Sequence, residues 1–167
     1  MLEKYITRNI NLTDSNVETK REEILNYFIN TYELFEKLFD IFTDDKVYYK
    51  QPEPLRHQMI FYYGHTSTFF INKLILGKFI TKRINPQYES MFAIGVDEMS
   101  WDDLNKAHYH WPTVDETKEY RKKTKDAVCQ YIKNCEFTLP ITWESPMWPI
   151  IMGIEHEKIH VETSSVL

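Results

Sequence analysis

Near its C-terminal end the chain reads "GIEHEKIHVE", Gly153 to Glu162, with His156 and His160 four residues apart and Glu157 between them. On an α-helix that spacing puts two side chains on one face, with Cβ atoms about 5–6 Å apart. Two imidazoles so placed can share one metal ion. The same letters form the H-E-x-x-H pattern of zinc metallopeptidases, in which the glutamate is the general base. A third imidazole, His65, stands inside the apolar run "MIFYYGHTSTFFINKL". A lone histidine there is ordinarily a satisfied core residue, but it becomes a ligand if a neighbouring helix presents two more at the same depth. Three imidazoles from two helices make a facial set with coordination positions left open, as a catalytic metal centre requires.

The peptidase reading fits the rest of the chain poorly. Zincins take a third ligand, commonly well downstream, and only seven residues follow His160. No edge strand is recognisable to hold an extended peptide. A ferritin-like di-iron site needs two E-x-x-H units, of which Glu157 with His160 supplies one. Of the other histidines, His57 sits at a helix start in a solvent-facing or capping role. His108 and His110, in "KAHYHWP", suit local hydrogen bonding in a loop.

Four helices must position these groups. The first opens near Asn16 with a capping box, Ser15 and Glu18, and carries Ile24, Phe28, Phe35, Leu38 and Phe42 as one apolar stripe. The second follows "QPEPLRH" and continues to about Phe79, with Ile60, Phe61, Phe69, Phe70 and Leu74 bracketing His65 on its inward side. Thr113 and Glu116 form a capping box for the third, which ends near Asn134 and turns Val114, Tyr120, Val128, Tyr131 and Ile132 inward. The fourth begins among "ESPMWP", where a proline suits the first turn. About thirty residues separate the second and third helices. Their Tyr, Trp, Met and His content suggests a packed crossover layer rather than a floppy linker. Trp101, Trp111, Trp143 and Trp148 are expected to anchor this loop and the fourth helix.

Composition narrows the class. A chain of 167 residues fits one domain, and 43% hydrophobic with 27% charged residues is ordinary for a folded protein. A formal net charge of −5 argues against a nucleic-acid footprint, which needs a concentrated basic surface. No run has the apolar length of a membrane span, and the N-terminus lacks the apolar core of a signal peptide. Cys129 and Cys135 lack metal-type spacing and read as reduced thiols. A cytoplasmic protein is expected.

Three stretches, "PLRHQMIFYYGHTSTFFINKL", "RINPQYESMFAIGVDEMSWDDL" and "LPITWESPMWPIIMGIEHEKIHVETSSVL", together resemble the N-terminal part of the sulfoxide synthases of ovothiol biosynthesis, the 5-histidylcysteine sulfoxide synthases. The likeness covers nearly the whole chain after about Leu12 and extends, more distantly, to the ergothioneine-pathway sulfoxide synthases. It implies an all-α, DinB-like four-helix bundle with a long crossover between helices 2 and 3, occupying residues 1–167 as one domain. It further implies non-haem iron, Fe(2+), held by His65 from "GHT" and by His156 and His160. The implied reaction is O2-dependent: cysteine sulfur is joined to the imidazole carbon of histidine and oxidised to the sulfoxide. The family continues into a second domain resembling formylglycine-generating enzyme, which is absent from these residues. Its catalytic groups cannot be carried over, and this chain alone is expected to be inactive. The abrupt stop at Leu167, in what reads as mid-helix, is likewise expected of a piece of something longer.

Other candidate residues are Glu157 and Glu162, which flank the histidines and would orient an imidazole from behind, and Arg83, a fork for a substrate carboxylate. Two rival readings stay open: a stand-alone DinB-like thiol transferase using zinc or nickel, and a non-catalytic helical interaction domain.

Overall fold

The computed structural model describes residues 9–93 and 110–167. Four long helices carry the fold: α1 (Val17–Phe39), α2 (Met59–Leu76), α4 (Val114–Asn134) and α5 (Trp148–Ser164), with a short helix, α3 (Pro86–Met91), between α2 and α4. A 3-10 turn over Asp45–Tyr49 lies between α1 and α2. Among the described residues no strand occurs, and no helix is long and apolar enough to cross a membrane. The all-α bundle expected from the sequence is what forms.

Each of α1 and α2 packs against both α4 and α5, so the helices follow one another around the bundle as α1, α5, α2, α4. Side-chain pairs give the directions. Phe28 meets Phe70 while Phe39 meets Tyr63, so α1 and α2 are antiparallel. Thr66 meets Glu157 while Phe70 lies against Gly153, so α2 and α5 are antiparallel too. Arg121 reaches Tyr63 and Thr66 at one end of α2, and Val128 joins Phe70 and Leu74 at the other, so α2 and α4 run parallel. Parallel neighbours need a connection that returns the full helix length, about 30 Å for a 21-residue helix. This is why a long crossover stands between them. Much of that crossover, with Trp101 and His108, lies outside the described residues.

The helix ends follow local chemistry, with one correction. Asn16, not Ser15, caps α1, its side chain accepting from the Thr19 N–H. Thr113 and Glu116 do form the expected capping box on α4. Pro149 sits in the first turn of α5, where its missing N–H costs no bond. On α1, Ile24, Phe28 and Phe35 are fully buried, whereas Leu38 and Phe42 are partly exposed and Phe42 falls beyond the helix end. Trp143 is 75% exposed rather than packed as an anchor, contrary to expectation. Trp111 stacks on Phe92, with ring centroids 5.7 Å apart.

Candidate metal centre

His65 lies in the middle of α2, and His156 and His160 lie one turn apart on α5. Because the two helices are antiparallel neighbours, the three rings meet between them. The Nε2 atoms of His65 and His156 are 3.2 Å apart, as are those of His156 and His160. One ligand atom from each of the three lies within 4.8 Å of the others. A cation about 2.1 Å from two nitrogens holds them roughly 3.0 Å apart at a right angle and roughly 3.4 Å apart at the tetrahedral angle. The observed separations fall between those values.

The ring environment favours ligation. A backbone carbonyl sets one tautomer: the Nδ1 of His65 lies 2.7 Å from the Phe92 carbonyl, which can only accept, so the proton sits on Nδ1 and Nε2 keeps its lone pair. That approach depends on Gly64, since a Cβ there would collide with the Phe92 ring. Phe61 stacks on His65 and Phe69 on His156, with centroids 5.1 and 3.8 Å apart, fixing the ring planes. Burial, reinforced by the neighbouring imidazole of His65, holds His156 down at about 2 and His160 at about 3. Both are therefore neutral, the form that binds metal. Three converging nitrogens that share few protons fit a cation better than they fit one another.

Glu157 has a different task from either one expected of it. One residue beyond His156 it is about 100° further round the helix, and it points into the bundle, fully buried. Its Oε1 accepts from the Thr66 hydroxyl at 3.1 Å and from Arg121 at 3.2 Å. It is placed neither to orient an imidazole nor to act as a general base on the histidine face. Burial pushes its carboxyl up to about 7, against the pull of Arg121 and Thr66. Glu162 is exposed on α5. Arg83 belongs to another cluster: its Nη1 donates to Glu89 and Asn72, both at 2.8 Å. Asn72 is seven residues, about 10 Å, along α2 from His65. Buried Glu89 also accepts from the Ile84 and Asn85 N–H groups, tying down the start of α3, whose C-cap residue is Phe92. His57 is buried rather than solvent-facing, 4.2 Å from the Phe61 ring. His110 is exposed.

Residues 27–164 match the family model of the DinB superfamily. The chain belongs to that superfamily. Over 122 aligned positions, the chain is 29% identical to ergothioneine biosynthesis protein 1 of Schizosaccharomyces pombe (strain 972). The match spans 66% of this chain but only 15% of that relative's length.

Arg121 escaped the sequence reading. In "KEYRKKTK" it looks like one more surface cation. The available signal was periodicity, because Val114, Thr117, Arg121, Thr124 and Val128 share one stripe of α4, and all are buried. The Phe92 carbonyl, a backbone group in a connection, left no signal of its own.

Proposed function

We propose that this DinB domain is the metal-holding part of a non-haem iron sulfoxide synthase that joins cysteine to histidine on the route to ovothiol. The observation that carries the reading is the convergence of His65, His156 and His160 on one point between α2 and α5. Kinship with a protein of ergothioneine biosynthesis supports it. So does the likeness of the "GHT" and H-x-x-x-H segments to the ovothiol branch.

The overall reaction balances with dioxygen as sole oxidant. The S–H and the ring C–H are lost, a C–S bond forms, one oxygen atom goes to sulfur and the other leaves as water. A ferrous ion, when bound, supplies open positions for substrates and O2 together with a path for electrons. The chain's own residues prepare the place. Phe92 holds His65 in the tautomer that presents Nε2. Phe61 and Phe69 fix two ring planes and keep water from one side of each. His156, partly exposed beside two buried partners, marks the side from which substrates enter. The groups that complete the chemistry are expected from a second domain in the same polypeptide.

Anaerobic purification followed by metal analysis tests the assignment. One ferrous ion per chain is expected, absent from His65→Ala, with an iron–nitrosyl spectrum that cysteine perturbs. Zinc or nickel in its place, with no cysteine effect, would favour a thiol transferase. Metal content and stability unaltered by His65→Ala would favour an interaction domain.

A further inference from the structure

Arg121 is fully buried and touches all the other long helices of the bundle. Its Nη1 donates to the Tyr63 carbonyl at 2.8 Å and the Thr66 hydroxyl at 2.9 Å, both on α2. Its Nη2 donates to Glu157 on α5 at 3.2 Å. Its Nε lies 3.5 Å from Glu36 on α1. The Tyr32, Tyr63 and Phe35 rings surround the guanidinium, with centroids 4.3, 4.9 and 5.1 Å away. Even the backbone is held, as the Tyr32 hydroxyl lies 2.8 Å from the Arg121 carbonyl.

These partners are not scattered along the helices. Thr66 follows His65 and Tyr63 precedes it by two residues, while Glu157 follows His156. One rigid fork therefore grips α2 and α5 at the turns that bear the ligands. We infer that Arg121 is a positioning residue that sets the spacing of α2 and α5, and hence of His65 from His156 and His160, for metal binding. The inference rests on the metal reading above. A planar guanidinium does this better than an ammonium, because its donors diverge at fixed angles toward two helices. Groups that hold metal ligands from behind typically change affinity about 10–100-fold when removed.

Co2+ is the probe, with affinity measured by chelator competition and geometry by its visible absorption. Arg121→Met is expected to weaken Co2+ binding about 10–100-fold and shift the absorption bands. Arg121→Lys should recover part of the loss. Removing one member of a buried ion pair can unfold a protein, whereas replacing both with apolar residues is often tolerated. The double variant Arg121→Met/Glu157→Met therefore provides a folded comparison, the Thr66 hydroxyl then turning back to its own helix. With thermal stability near that of the parent, it should still bind Co2+ weakly. Val128→Ala, a cavity seven residues along α4, should lower stability yet keep parental affinity. A stable double variant with parental affinity and spectrum would overturn the inference, as would a Val128→Ala loss equal to that of Arg121→Met. Failure of the parent chain itself to take up Co2+ would instead overturn the metal reading.

Discussion

The bundle has two unlike halves. In one, Ile24, Phe28, Phe70, Val128, Ile132, Ile150 and Ile154 close on one another as hydrocarbon and aromatic surface. In the other, aromatic packing by Phe35, Phe39, Phe61 and Tyr63 encloses a buried arginine and adjoins a buried glutamate and the buried imidazoles of His57, His65 and His160. The side chains named in the first half need only shape and apolar character. The second depends on donors and acceptors meeting at fixed distances, since a buried charge without partners is heavily penalised. The contrast separates what stabilises this domain from what equips it.

The largest effects should divide along that line. Phe28→Ala removes a fully buried ring from the hydrocarbon half, and a loss of about 3–5 kcal/mol is expected in denaturant or thermal unfolding. Metal stoichiometry should stay unchanged wherever that variant remains folded. His160→Ala should do the reverse, abolishing stoichiometric metal binding while leaving the unfolding midpoint of the metal-free protein near its parental value. A variant that lost both together would erase the distinction between the halves.

A smaller effect tests the border between them. Gly64→Ala places a methyl group against the Phe92 ring. Phe92 must withdraw, and its carbonyl with it, so His65 loses the bond that selects its tautomer. Metal affinity is expected to drop by about tenfold, and a crystal structure should show the Phe92 carbonyl moved off His65 Nδ1. Affinity equal to the parent's would mean that stacking on Phe61 suffices to orient the ring.

The smallest expected change lies at the surface. Thr113→Ala breaks the α4 capping box and should cost about 1 kcal/mol. The Thr113 N–H and hydroxyl both donate to Glu116 and hold its carboxyl below the usual range. Its contribution is therefore full above the ordinary carboxylate range and is lost as pH falls through the lowered value. Glu116→Gln should remove that part of the acid sensitivity, read as the pH dependence of the unfolding midpoint, without altering metal content.

How much of this was legible in the residues varies from place to place. The helices were, because Ile24, Phe28 and Phe35, or Val128 and Ile132, recur at the helical period, and because Thr113 and Glu116 announce a start. Ser15 misled by a single position, since Asn16 beside it caps equally well and the apolar stripe cannot choose between them. His57 and Trp143 misled in opposite directions: which aromatic groups the core covers depends on how the connections drape over it, and connections carry no period.

Sequence alone determined that His156 and His160 share a face, because the α-helix repeats every 3.6 residues wherever it is placed. It also placed His65 on an apolar helix. Tertiary structure decided that α5 runs antiparallel beside α2 at the depth that brings the third imidazole to the first two. It also decided that Glu157 would turn away to meet Arg121 rather than serve the histidines. Such choices are made by packing between segments some ninety residues apart, and no local periodicity encodes a distance of that kind.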